Sequence, residues 1–173
     1  MTLPLVTTGQ ALISHSAAHT QRIGECLGHL LEPGDVICLE GNLGTGKTCL
    51  TQGIGRGLGV TSAITSPTFV IISEYPLPGH GHRLYHIDLY RVHTNVETRA
   101  LGLAEYLYGN GICVIEWAEQ AMDILPDHRL WITLCHMGDT KRELGFHASG
   151  ERYTDLLQRF GPEARELSLA AGD

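Results

Sequence analysis

The chain is nearly without lysine. Only Lys47 and Lys141 occur among its 173 residues, and arginine raises the basic total to just 12 against 19 acidic residues, a net charge of −7. No dense basic run is present, so the clustered electrostatic footprint of a stand-alone nucleic-acid binder is missing. Any action on a polynucleotide is expected to go through a partner. No apolar run approaches the roughly 18 residues that a membrane span needs, and no membrane association is expected. The N-terminus has no basic start leading into an apolar run, so no signal peptide is expected. The five cysteines (Cys26, Cys38, Cys49, Cys113 and Cys135) form no C-x-x-C pair. Buried free thiols in a reducing cytoplasm are the expectation.

What is present centres on one of the two lysines. Gly41-Asn42-Leu43-Gly44-Thr45-Gly46-Lys47-Thr48 matches G-x-x-x-x-G-K-[ST], a loop that cradles phosphates. A nucleoside triphosphate brings about four negative charges, to be met without bulky side chains in the way. Gly44 and Gly46 allow backbone N–H groups to turn inward as a nest. The helix that follows adds the positive end of its dipole. Lys47 reaches the β- and γ-phosphates, and the Thr48 hydroxyl is the expected Mg2+ ligand. The flanks suit the motif: 35–40 reads as a buried strand and 48–58 as a helix.

Around that unit the chain alternates. An edge strand is expected over 10–14, a helix over 16–31, a hairpin from 69–75 and 83–89, and one or two short helices over 96–108. A buried strand follows over 111–116, then an antiparallel pair from 130–136 and 143–148, and a closing helix over 151–160. The pattern predicts an α/β fold of three layers around a mixed parallel and antiparallel sheet, as in P-loop NTPases. Residues 1–160 are expected to form one domain. The small and polar stretch 161–173 is expected to be a mobile tail.

Two expected strands end in acids on the rim where such sheets bind ligands. Ile112-Cys113-Val114-Ile115 runs into Glu116, and Leu84-Tyr85-His86-Ile87 runs into Asp88. Either carboxylate suits metal-bound water or a base on attacking water. A cap or turn acid in a surface loop is the plainer alternative for Asp88. Trp117 is either a wall of the site or an ordinary core residue. His80, His82 and His86 have a spacing that brings two or three together across a hairpin, but no nearby acid or cysteine completes a zinc set. A solvated hairpin with strand histidines is the expected reading. The guanine motif N-K-x-D and the γ-phosphate motif D-x-x-G are absent, which turns the nucleotide towards ATP.

Together the loop, Thr65-Ser66-Pro67-Thr68-Phe69, Glu74-Tyr75, Tyr85-His86-Ile87-Asp88-Leu89-Tyr90-Arg91 and Glu116-Trp117-Ala118-Glu119 resemble the bacterial TsaE family. That family is the ATPase component of tRNA threonylcarbamoyladenosine synthesis. The resemblance implies ATP and Mg2+ as cofactors, weak hydrolysis alone, and action on the partners TsaB and TsaD, with tRNA reached indirectly. It implies that Gly41, Asn42, Leu43, Gly44, Thr45, Gly46, Lys47, Thr48 and Cys49 form the nucleotide loop. Thr48 and Glu116 hold the metal, and Asp88 is the essential acid. Trp117, Glu119, Arg142 and Thr20 lie near the nucleotide, and Ser66, Pro67 and Thr68 form a switch-like turn. Cys49 stands where a second threonine is common, and a thiol is a poor donor to an α-phosphate. Two other readings remain open on the residues alone. One is a small-molecule kinase with Asp88 as base and Arg91 as clamp. The other is a binding module gated by nucleotide.

Overall fold

The computed structural model describes residues 7–67, 71–79 and 81–170. Seven strands make one sheet: β1 (Thr7–Ser14), β2 (Val36–Glu40), β3 (Ile72–Pro76), β4 (Arg83–Asp88), β5 (Ile112–Glu116), β6 (Arg129–His136) and β7 (Arg142–Ser149). Five α-helices accompany them: α1 (Ala17–Gly28), α2 (Lys47–Gly57), α3 (Asn95–Ala100), α4 (Leu103–Leu107) and α5 (Glu151–Ala170). A short 3-10 helix spans Ala118–Ala121. The spatial order is β1-β7-β6-β2-β5-β4-β3. β6, β2, β5 and β4 are parallel neighbours, and the antiparallel strands flank them. The expected three-layer mixed sheet is what forms.

Alternation within the strands sorts side chains to two cores. Ile37 and Leu39 of β2 join Ile23 and Leu27 of α1, Leu50 and Ile54 of α2, and Phe146 and Phe160. Val36 and Cys38 point the other way, with Leu103, Leu107 and Ile115. β2 is therefore covered on both faces, which fits its run of apolar residues. The glycine-rich loop leaves from this strand, the central one of the seven. All five cysteines are free, and three of them (Cys26, Cys38 and Cys113) are buried. Burial pushes the Cys38 and Cys113 thiols up to about 12. Among the described residues, no helix is long and apolar enough to cross a membrane.

α1 and α2 meet backbone to backbone. Gly24 and Gly28 of α1 face Gly53 and Gly57 of α2. A Cβ built on any of the four would overlap a carbonyl oxygen of the opposite helix: those of Leu50, Ile54, Gln21 and Glu25 respectively. Glycine inside a helix costs roughly 1 kcal/mol relative to alanine, and here it permits a contact that no side chain would allow.

Two sequence expectations need correction. The closing helix does not stop at Phe160, and no tail begins at Gly161: α5 continues to Ala170 with Pro162 inside it. Gly161 and Ala164 are buried. A Cβ on Gly161 would stand 2.7 Å from the Gln10 side-chain oxygen. Small residues there let the helix press against β1, and that packing outweighs the missing proline N–H. His86 is a strand histidine as expected, but the expected solvation fails for it: it is 0% exposed. His80, Thr68 and Phe69 lie outside the described residues.

Candidate functional site

The loop between β2 and α2 owes its path to glycine. A Cβ at Gly41 would lie 2.6 Å from both the Leu134 carbonyl oxygen and Thr45 Oγ1. Gly44 and Gly46 have φ of 79° and 100°, backbone angles that favour glycine. Gly46 is the N-cap of α2 and supplies no side-chain cap. The first N–H groups of an uncapped helix N-terminus suit an anion. Thr45 Oγ1 donates to the Asn42 carbonyl at 2.8 Å, bracing the loop.

Lys47 arches back over this loop. Its Nζ donates to the carbonyl oxygens of Gly41 at 2.5 Å and Asn42 at 3.0 Å. It also stands 4.3 Å from the centre of the Trp117 ring, within cation–π range. Burial draws its pKa below the ordinary lysine value, while the charges of Glu116, Glu119 and Asp88 oppose the shift. A desolvated ammonium with neutral carbonyl partners is poised to exchange them for phosphate oxygens.

The two acids meet across the parallel pair β4 and β5, where Asp88 is in register with Glu116. Glu116 is 3% exposed. Its Oε1 accepts a hydrogen bond from Thr48 Oγ1 at 2.9 Å and lies 2.8 Å from His86 Nε2. Asp88 is half-buried. Ser66 Oγ donates to its Oδ2 at 3.0 Å, and the Tyr90 backbone N–H donates to its Oδ1 at 3.0 Å. The Thr48 hydroxyl and the two carboxylates form an all-oxygen donor set, which fits Mg2+. Among the described residues, no group of three or more His, Cys, Asp or Glu could hold a metal.

Trp117 completes the wall. Its φ of 58° makes it the one described non-glycine residue in the left-handed region, a conformation that costs about 1–3 kcal/mol. That turn lets the chain leave β5 and bring the indole over Lys47. Tyr90 packs against it with ring centres 5.0 Å apart. The resulting cavity of about 540 Å³ holds Gly44, Gly46, Lys47 and Thr48 on one side and Asp88, Glu116 and Trp117 on the other. Ser66, Pro67, Leu43 and Cys49 also line it. The volume lies within the range typical of small-molecule sites.

The remaining candidates are placed less uniformly. Asn42, Thr45 and Glu119 line a second cavity of about 400 Å³, and Trp117 borders both cavities. Burial, helped by Glu40, holds the Glu119 carboxyl above the usual range, with Lys47 opposing. Cys49 donates its thiol to the Ala17 carbonyl at 3.2 Å, and burial raises its pKa. Thr20 is buried, with its hydroxyl 2.7 Å from that of Ser14, and it lines neither cavity. Arg142 lines neither cavity either. Its Nη1 donates to the carbonyls of Gly138, Asp139 and Lys141 in the β6–β7 turn. The sequence reading missed His86 as a member of this site. The available signal was its position two residues before Asp88, which puts both on one face of β4.

Comparison with known proteins identifies the family. The family model described as "Threonylcarbamoyl adenosine biosynthesis protein TsaE" matches residues 14–144. The Bacillus subtilis tRNA threonylcarbamoyladenosine biosynthesis protein TsaE is 44% identical over 142 residues, covering 80% of this chain and 85% of the relative. The Nostoc protein of the same name is 46% identical over 145 residues, with the same coverage. The crystal structure of Bacillus subtilis YdiB superposes with a TM-score of 0.78 at 36% identity, over 91% of this chain and 97% of that one. A family match over most of the length, joined to the phosphate loop and its two strand-end acids, makes the chain a member of the TsaE family.

Proposed function

We propose that this protein is a Mg2+-dependent ATPase that supports formation of N6-threonylcarbamoyladenosine at position 37 of tRNAs reading codons that begin with A. In this reading it acts on the TsaB–TsaD complex in the cytoplasm and does not perform the transfer itself. The observation that carries the reading is the convergence of Lys47, Thr48, Asp88 and Glu116 on one cavity beside the uncapped N-terminus of α2.

Lys47 and the loop N–H groups hold the β- and γ-phosphates. Thr48 and Glu116 are the residues that would hold Mg2+, which supplies charge neutralisation across the phosphate oxygens when bound. Asp88 accepts a proton from the attacking water or orients it. Ser66, whose hydroxyl already reaches Asp88, links the Ser66–Pro67 turn to that acid. Trp117 and the Tyr90 ring packed against it form one wall of the site. The net charge of −7 fits a component that reaches tRNA through partners.

Phosphate release is expected to be slow for the isolated protein and faster when TsaB and TsaD are added. Release unchanged by the partners would overturn the coupling. With γ-labelled ATP, label recovered on an organic acceptor instead of as free phosphate would mark a kinase. Depletion of the protein is expected to lower threonylcarbamoyladenosine in tRNA. Lys47→Ala is expected to abolish turnover while the circular dichroism spectrum stays that of the wild type.

A further inference from the structure

His86 occupies a position that an apolar residue would fill at no polar cost. It lies in the middle of β4, pairs in register with Val114 of β5, and is 0% exposed. Its Nε2 is 2.8 Å from Glu116 Oε1, while its Nδ1 is buried with no hydrogen-bond partner. A carboxylate offers only lone pairs, so the nitrogen facing it carries the proton. Nδ1 has no acceptor within reach, so it is the bare nitrogen. The geometry therefore selects the Nε2–H tautomer, with the ring donating to Glu116.

The second donor to Glu116 is Thr48, and it reaches the same oxygen. Oε1 is thereby committed to two donors, which leaves Oε2 as the oxygen free to meet a cation. The Thr48 hydroxyl has one hydrogen and two lone pairs, so it can donate to Glu116 and still offer oxygen to a metal. His86 differs because it holds the carboxylate without being a candidate ligand itself.

We propose that His86 is a positioning residue: its Nε2–H fixes the Glu116 carboxylate so that Oε2 faces the Mg2+ position beside Thr48. The proposal rests on the reading of Glu116 as a metal-organising acid. Partners that orient a metal ligand in this way typically change metal affinity about 10- to 100-fold when removed.

The test compares His86→Leu, His86→Gln and His86→Asn by Mg2+ titration of the binding of a fluorescent ADP analogue. Leucine cannot donate. Glutamine can place an amide N–H near the position of Nε2, and asparagine is too short to do so. In His86→Leu the Mg2+ concentration at half-effect is expected to rise about 10- to 100-fold, with Mg2+-free nucleotide affinity unchanged. His86→Gln is expected to return towards the wild-type value. A folded His86→Leu protein with wild-type Mg2+ dependence would overturn the role of His86. Should the leucine variant fail to fold, the other pair decides: equal Mg2+ requirement in His86→Gln and His86→Asn overturns the proposal, and a higher requirement in the asparagine variant supports it. Wild-type binding indifferent to Mg2+ would instead overturn the metal reading of Glu116, and the proposal with it. Long-range ¹H–¹⁵N correlation spectra of the nucleotide-free protein supply an independent readout. An Nε2–H tautomer at His86 is expected, and an Nδ1–H tautomer would contradict the geometry.

Discussion

Glu116 and Asp88 end neighbouring strands in direct register, yet they are held in different ways. Glu116 is 3% exposed and is gripped by β4 through His86 and by the first turn of α2 through Thr48. Asp88 is half-buried and is held by the Ser66 hydroxyl on a loop and by the backbone N–H of Tyr90, two residues further on. One acid is built into rigid elements; the other is tied to a segment between elements. The contrast suits a division in which Glu116 fixes a metal and Asp88 responds to what happens at the γ-phosphate.

The largest effect should come from Glu116→Ala. Loss of the proposed metal-organising carboxylate is expected to lower turnover about 10³-fold, equivalent to about 4 kcal/mol. It also strands the His86 donor in the interior, which should cost about 1–3 kcal/mol of folding stability. Glu116→Gln keeps an acceptor for both donors. It should match the alanine variant in lost phosphate release while holding its urea midpoint close to that of the wild type. Equal midpoints for the two variants would break the contrast from the side of Glu116.

Asp88→Asn should come next. Turnover is expected to fall about 10²-fold if Asp88 handles a proton. Stability should stay within about 0.5 kcal/mol of the wild type, because the carboxyl is only half-buried. A midpoint shift as large as that of Glu116→Ala would show that the two acids are equally structural. Ser66→Ala should have the smallest effect. Loss of one partly exposed hydrogen bond of about 1 kcal/mol predicts at most roughly a fivefold fall in turnover and a thermal midpoint lower by no more than about 2–4 °C. Rates equal to the wild type would remove the loop from the account of Asp88.

The sequence was informative where function depends on consecutive residues. The loop 41–48 and the two strand-end acids could be read directly because backbone geometry and strand alternation are local properties. His86 escaped because its partner lies 30 positions away and becomes a neighbour only through strand register. The reach of α5 escaped because Gly161 and Pro162 carry local breaker signals, while the packing that overrides them comes from β1. Thr20 and Arg142 entered through family resemblance alone. In this structure their polar atoms are engaged with the Ser14–Ser16 region and the β6–β7 turn.

The glycine seam between α1 and α2 has a consequence for movement and for inheritance. At the four glycines no side chain stands between the backbones, so along that seam no rotamer change can absorb a shift. The two helices are expected to move together, so that a displacement of α2 at its N-terminus carries α1 with it. The same rigidity makes the four glycines a single mutational unit: a methyl group at any of them requires the facing backbone to retreat, and the other three then lose the close fit that made glycine worth keeping.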